Sequence, residues 1–113
     1  MDTLDTYRQI IQNVLTEYTS IQYAYGQMQC RTIFDRESDS YLLVTLGWHG
    51  IKRIHGCLVH IDIDILDGKV WIQRDDTEYG IARELQKAGI SQKDIVLGFH
   101  TPDVRKYTEY AVA

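Results

Sequence analysis

Three side chains capable of acid–base or metal chemistry alternate along one short stretch of the sequence, namely His60, Asp62 and Asp64. Successive side chains of a β-strand point to opposite faces, so a strand would place all three on one surface. An imidazole and two carboxylates on a rigid surface could hold a divalent cation, which makes a metal-dependent hydrolase one alternative. The other interpretation is a polar surface that faces solvent or a protein partner. We favour the second, because short motifs of this kind match by chance.

A hairpin signal follows this stretch, because Asp67-Gly68 is a dipeptide preferred in two-residue β-turns. If these two residues form the turn, the apolar residues of both arms coincide on one side of the hairpin. The predicted apolar pairs are Ile65 with Val70 and Ile63 with Ile72. The predicted polar pairs are Asp64 with Trp71, Asp62 with Gln73, and His60 with Asp75.

This register places Trp71 among polar side chains rather than in the core. An aromatic side chain in such surroundings is typical of an anchor in a protein interface. Alternatively, a further helix or loop of the same chain covers this face. The predicted interface consists of His60, Asp62, Asp64, Trp71, Gln73 and Asp75.

The two cysteines, Cys30 and Cys57, are too few and too far apart for a disulfide framework or a zinc module. Cys57 could serve as a nucleophile only with His55, which shares its strand face, whereas His60 would lie opposite. A nucleophile also needs an orienting group around its base. We therefore predict that both cysteines act as small apolar side chains. No glycine-rich phosphate loop is present, and no cofactor is expected.

The pattern of apolar residues predicts a single α+β domain over residues 1–113. The sheet is expected to have about four antiparallel strands, with a hairpin at Asp67-Gly68. The predicted elements are a helix over 4–18, a loop over 19–27, strands over 28–34, 41–48 and 53–66, the hairpin's return arm, a second helix over 78–88 and a short final strand over 95–99.

The charge of the chain argues against direct DNA binding, because 12 Lys and Arg face 16 Asp and Glu for a net charge of −4. No apolar run is long enough for a transmembrane helix, and the start of the chain lacks the build of a signal peptide. We therefore expect a cytoplasmic protein without a membrane partner. The apolar end of the chain, Tyr110 to Ala113, is expected to pack on the core or on a second subunit, and self-association is predicted.

Several segments closely resemble the fdxN element excision controlling factor (XisI-like) family of small cyanobacterial proteins. The clearest are Arg53–Ile63 (RIHGCLVHIDI), Asp67–Gln73 (DGKVWIQ) and Lys93–Phe99 (KDIVLGF). The chain departs from the family pattern at Asp76, where glycine is usual, and at Ser91, where proline is usual. The stretch from Ile63 to Asp67 is also longer, which predicts longer hairpin arms.

The resemblance implies a regulatory role rather than an enzymatic one. Members of this family are named for controlling the excision of a DNA element during heterocyst development, while the recombinase is a separate protein. They are encoded beside an XisH-like protein with a restriction-type nuclease fold. The resemblance therefore predicts a non-enzymatic accessory protein that inhibits or adapts such a partner.

Overall fold

The computed structural model describes residues 3–20 and 27–113, so the loop predicted over 19–27 lies mostly outside the described residues. The fold class is α+β, as the sequence predicts. The elements in chain order are α1 (Thr3–Tyr18), β1 (Gln27–Asp35), β2 (Ser40–His49), β3 (Lys52–Asp64), β4 (Lys69–Asp75), α2 (Ile81–Ala88), a 3-10 turn (Gln92–Asp94), β5 (Ile95–Leu97) and α3 (Pro102–Arg105).

The strands form one sheet in which spatial order follows chain order, β1-β2-β3-β4-β5. The first four strands are antiparallel neighbours joined by tight turns, whereas β5 runs parallel to β4. A parallel neighbour needs a crossover connection, and α2 supplies it. The last strand ends at Leu97, earlier than predicted, where the chain turns and the backbone N–H of His100 donates to the carbonyl of Leu97 at 3.1 Å.

The core lies between the helices and one face of the sheet. Helix α1 buries one stripe, with Ile11 and Leu15 fully buried, and α2 adds Ile81 and Leu85. Alternate sheet residues complete the core from the other side, as expected when one face of an antiparallel sheet is covered. The sheet residues of this cluster are Cys30, Tyr41, Leu43, Val59, Ile61, Ile63, Val70, Ile72 and Ile95.

The β3–β4 hairpin has a longer turn than the two-residue turn that Asp67-Gly68 predicts. Strand β3 ends at Asp64, which pairs with Lys69, so residues 65–68 all belong to the turn. Ile65 is therefore 61% exposed instead of buried opposite Val70. The additional residues of this stretch lengthen the turn and not the arms, because Asp64 accepts a hydrogen bond from the backbone N–H of Leu66 at 2.9 Å.

The predicted register of this hairpin was wrong by two residues, but its division of faces was right. Val70 pairs with Ile63, and Trp71 pairs with Asp62 rather than Asp64. Because side chains alternate with a period of two, a shift by two residues returns each side chain to the same face. Ile63 and Val70 thus remain in the core, while Trp71 remains on the other face.

A bulge at Gln73 changes the face of the residues that follow it in β4. Ile61 pairs with Ile72, but the next pair is His60 with Arg74, which leaves Gln73 without a partner in the ladder. An extra residue in one strand reverses the alternation beyond it. Asp75 therefore pairs with the buried Val59 on the helix side, and the predicted pair of His60 with Asp75 was wrong.

Asp75 explains where the second helix begins. Its carboxylate accepts hydrogen bonds from the backbone N–H groups of Thr77 at 2.9 Å and Ile81 at 2.8 Å. Free N–H groups at the first turn of a helix need such acceptors. The helix accordingly begins at Ile81, three residues later than predicted, after Gly80 has turned the chain at a φ of 87°.

In the described part of the chain, no helix is both long and apolar enough to cross a membrane.

Candidate functional site

The face of the sheet turned away from α1 and α2 carries most of the residues of the predicted interface, but not Asp75. We call it the open face, and it is formed by the alternate residues of β1 to β4 whose side chains point away from the core. Two groups of side chains lie on it: a polar cluster centred on Asp62 and an apolar row along β1 and β2. The open face therefore combines the two components of a protein interface, apolar contact area and a polar rim.

Asp62 is the centre of the polar cluster, because three neighbouring side chains converge on its carboxylate. His60 lies 2.9 Å away through Nε2, and Ser40 donates its hydroxyl at 2.7 Å. Gln73 donates its amide to the second carboxylate oxygen at 3.2 Å. The structure thus brings His60, Asp62 and Gln73 together as predicted, and Ser40 is a member that the sequence did not reveal. The sequence carries no signal for it, because the position of Ser40 opposite Asp62 depends on the pairing of β2 with β3.

Two predicted members of the cluster lie elsewhere. Asp64 sits at the end of β3 and accepts the Leu66 N–H within the turn, while Asp75 lies on the helix side of the sheet. The carboxylate and imidazole groups of the metal-dependent alternative therefore do not converge. Over residues 3–20 and 27–113, no group of three or more His, Cys, Asp and Glu side chains is arranged to hold a metal ion.

Trp71 lies next to Asp62 on the open face but is partly covered by the chain itself. The guanidinium carbon of Arg105 lies 5.0 Å from the centroid of its ring, a distance suited to a cation–π contact. A Cβ atom added to Gly98 would come within 3.1 Å of the Trp71 ring, so the turn after β5 packs directly against it. Most of the surface of Trp71 is therefore covered by its own chain. This favours the second of the two interpretations over an anchor for a partner.

The exposed aromatic of the open face is instead Trp48, which is 45% exposed. It lies near the end of β2, with the guanidinium carbon of Arg53 5.3 Å from its ring centroid. Ile33 on the edge strand is 55% exposed. These two side chains and three half-buried apolar neighbours point to the same face of β1 and β2. We call this set the apolar row, and it consists of Ile33, Leu42, Val44, Leu46 and Trp48.

The apolar row was not predicted, although the sequence carries a signal for it. Residues 41–46 are nearly continuously apolar, a pattern typical of a strand with apolar side chains on both faces. Tyr41 and Leu43 point into the core, so Leu42 and Val44 must point to the open face. Leu42 also pairs with His60 across the β2–β3 ladder, which joins the apolar row to the polar cluster.

Cys57 does not have the surroundings of a nucleophile. Burial raises the pKa of its thiol, although the nearby Arg74 acts in the opposite direction. The thiol lies 3.4 Å from the backbone carbonyl of Val59 and donates to it. A protonated thiol with a backbone acceptor supports its interpretation as a small apolar side chain.

A cavity of about 580 Å³ lies on the other side of the molecule, between the end of α1 and the start of α2. Burial raises the pKa of Tyr18 at its wall to about 12, and the neighbouring Glu84 carboxylate acts in the same direction. An acidic lining of this kind repels phosphates and other anions. The lining residues are Glu17, Tyr18, Leu58, Asp76, Thr77, Glu78, Tyr79 and Glu84.

Two solved structures are similar to the chain over almost its whole length. One is a XisI-like protein from Anabaena variabilis, which is 37% identical with a TM-score of 0.85, covering 97% of this chain and 99% of that one. The other is the fdxN element excision controlling factor XisI from Anabaena variabilis, which is 38% identical with a TM-score of 0.79, covering 99% of this chain and 100% of that one. No curated protein matches the chain significantly.

The resemblance predicted from segments such as Arg53–Ile63 is confirmed at the level of the whole chain. The family described as XisI protein matches residues 1–112. Sequence identity above a third, combined with the same fold over the full length, agrees with that match. The chain therefore belongs to the XisI protein family.

Proposed function

We propose that this chain is a cytoplasmic, non-enzymatic accessory protein that controls the excision of a DNA element by binding a protein partner. The partner is an XisH-like protein with a nuclease fold, and the chain acts as its inhibitor or as an adaptor for it. The proposal is supported by membership of the XisI family and by similarity to a protein named as the fdxN element excision controlling factor. It assigns the control of excision to a protein contact rather than to a contact with DNA.

The observation that carries the proposal is the composition of the open face. Its apolar row includes the exposed Ile33 and Trp48, while the two long helices pack on the opposite side of the sheet. Aromatic and apolar side chains surrounded by polar ones are typical of the centre of a protein interface. The polar cluster around Asp62 borders the row and offers His60 for hydrogen bonding.

The polar cluster supports a binding role better than a catalytic one. Its carboxylate, Asp62, already accepts hydrogen bonds from Ser40 and Gln73 and lies within hydrogen-bonding distance of His60. A general base has to present a free lone pair to its substrate. The net charge of −4 also favours a protein partner over a phosphate backbone.

The test is co-expression of the chain with an XisH-like protein, followed by size-exclusion chromatography. We expect the two proteins to co-elute. Replacing Trp48 with alanine should weaken the complex by at least roughly ten-fold, because truncated interface aromatics commonly have effects of this size.

Tyr107→Ala is the matched control, because Tyr107 is 83% exposed but lies on the C-terminal segment, away from the apolar row. This variant should bind the partner as the unchanged chain does. The proposed surface is wrong if Trp48→Ala and Tyr107→Ala bind equally well. The proposed partner is wrong if the unchanged chain and the XisH-like protein consistently elute apart.

A further inference from the structure

The two edge strands of the sheet differ in whether another segment of the chain pairs with their outer side. At the β5 edge, the returning C-terminal segment pairs with the strand, and the backbone N–H of Ala111 donates to the carbonyl of Ile95 at 2.8 Å. At the other edge, β1 pairs with β2 alone among the residues that the structure describes. An open strand edge carries a row of backbone donors and acceptors that can pair with another chain.

Of the features that usually protect such an edge, strand β1 carries only two charged side chains, Arg31 and Asp35. It is nine residues long, QMQCRTIFD, and contains no proline, glycine or lysine. Its pairing with β2 is regular from Gln27 to Asp35, whereas both other antiparallel ladders contain an irregularity. Short length, bulges, proline and lysine are the usual obstacles to edge pairing. Ile33, a side chain of high β-propensity, is 55% exposed on this strand.

We propose that β1 pairs antiparallel with β1 of a second copy of this chain, about a two-fold axis at Ile33. Directly opposed residues of an antiparallel pair point to the same face, so the axis must pass through a residue position. An axis at Arg31 would oppose two arginines, which destabilises a sheet. An axis at Thr32 would place the two arginines diagonally across from each other, whereas an axis at Ile33 places Arg31 directly opposite Asp35 of the second copy.

The distribution of charge on β1 favours a second copy over an unrelated strand. Arg31 and Asp35 are the charged residues of this strand, and they have opposite signs. An isologous contact repeats each interaction twice, so one axis forms two Arg31–Asp35 pairs between the copies. An axis at Cys30 would leave Asp35 beyond the paired segment, so Ile33 is the axis at which Arg31 and Asp35 meet directly.

This pairing would double the surface on which a partner can dock. The two-fold axis runs perpendicular to the sheet, so both open faces lie on the same side of a continuous sheet. Ile33 and Leu42 of each copy would then lie beside those of the other. The inference does not depend on the identity of the protein partner and can be tested with the chain alone.

Light scattering coupled to size exclusion, over a range of concentrations, provides the test. We expect a species of twice the 13.1 kDa mass of the chain. Arg31→Glu should shift it to the monomer by weakening association at least roughly ten-fold, because the glutamate would face Asp35 of the second copy. Arg31→Lys should keep the dimer, since the lysine would face the same carboxylate.

Lys52→Glu is the matched charge reversal and should leave the dimer intact, because Lys52 is exposed at the start of β3, which β2 separates from β1. Circular dichroism should show the same fold for all three variants. A monomer at every concentration would overturn the inference, as would a dimer that survives Arg31→Glu. Equal loss of the dimer in Arg31→Lys and Arg31→Glu would overturn the proposed register.

Discussion

Asp39 is the residue on which the β1–β2 turn and the first helix converge. It is 3% exposed and adopts a positive φ of 53°, a conformation that aspartate and asparagine tolerate better than most residues. Its carboxylate accepts hydrogen bonds from Arg8 Nε at 2.7 Å and Nη2 at 2.9 Å, and from the Tyr41 hydroxyl at 2.8 Å. This buried network ties α1 to the sheet that carries the open face.

The charge of Asp39 should make stability depend on acidic pH. The Arg8 guanidinium holds the pKa of the Asp39 carboxyl below its usual value of 3.8. A group with a lowered folded pKa contributes stability that is present above its unfolded pKa and is lost as the pH falls through the folded pKa. We expect Asp39→Asn, which tolerates the same backbone conformation, to lower the free energy of unfolding at pH 7 by about 1–3 kcal/mol.

Urea unfolding at pH 7 and at several values below pH 4 measures both effects. The loss of stability on acidification should be smaller in Asp39→Asn than in the unchanged chain. Asp103→Asn, at an exposed position in the first turn of α3, serves as the control and should change neither quantity appreciably. Equal acid sensitivity of the unchanged chain and Asp39→Asn would contradict the assigned role.

At the scale of elements, the turn between β3 and β4 determines the register of the strands that carry the polar cluster. Gly68 closes this turn with a φ of 73°, and its N–H donates to the Asp64 carbonyl at 2.8 Å. Asp67 accepts the backbone N–H of Lys69 at 2.9 Å. The turn therefore depends on one residue in the left-handed region and on two aspartate side chains that bond to the backbone.

Two glycine substitutions distinguish the energetic cost of a strained backbone conformation from the cost of steric contact. We expect Gly68→Ala to destabilise the protein by about 1 kcal/mol, since a Cβ there meets only Leu4 at 3.9 Å and the cost comes from the positive φ. Gly56→Ala is the control, because its Cβ would meet nothing within 4 Å and its φ lies outside the left-handed region. It should be neutral or slightly stabilising in thermal unfolding. Equal losses in both variants would argue against the role assigned to the turn.

At the scale of the whole molecule, the C-terminal segment closes one edge of the sheet and covers Trp71. Arg105 holds it in place: its guanidinium donates to the carbonyls of His100 at 2.9 Å and Val112 at 3.3 Å and stacks on the Trp71 ring. Part of the expected packing of the apolar tail therefore occurs within one chain, through the bridge between Val96 and Ala111.

Loss of this guanidinium should open the cover over Trp71. We expect Arg105→Ala to destabilise the protein by about 1–2 kcal/mol, through the lost hydrogen bonds and cation–π contact. Tryptophan fluorescence should shift to longer wavelength as Trp71 becomes hydrated. Lys106→Ala is the control, because Lys106 is exposed and its nitrogen lies 5.4 Å from the ring of its neighbour Tyr107. A fluorescence spectrum unchanged by Arg105→Ala would contradict this role.

The sequence by itself determined the order and type of most elements, and the buried face of α1 and of the hairpin arms up to the bulge at Gln73. The stripe of α1 and the alternation around Ile63 and Val70 are local periodic patterns, and burial of apolar area follows them directly. For this reason the register error of two residues in the hairpin did not move Trp71 to the wrong face.

Only the tertiary structure decided how these faces are completed. The bulge at Gln73 depends on the geometry of two paired strands, so alternation along one strand did not reveal that Asp75 faces the helices. The cover on Trp71 comes from Arg105, a residue distant in sequence, and the exposed edge of β1 follows from the order of strands in space. Contacts between distant segments depend on the whole arrangement of the chain, so local sequence patterns do not predict them.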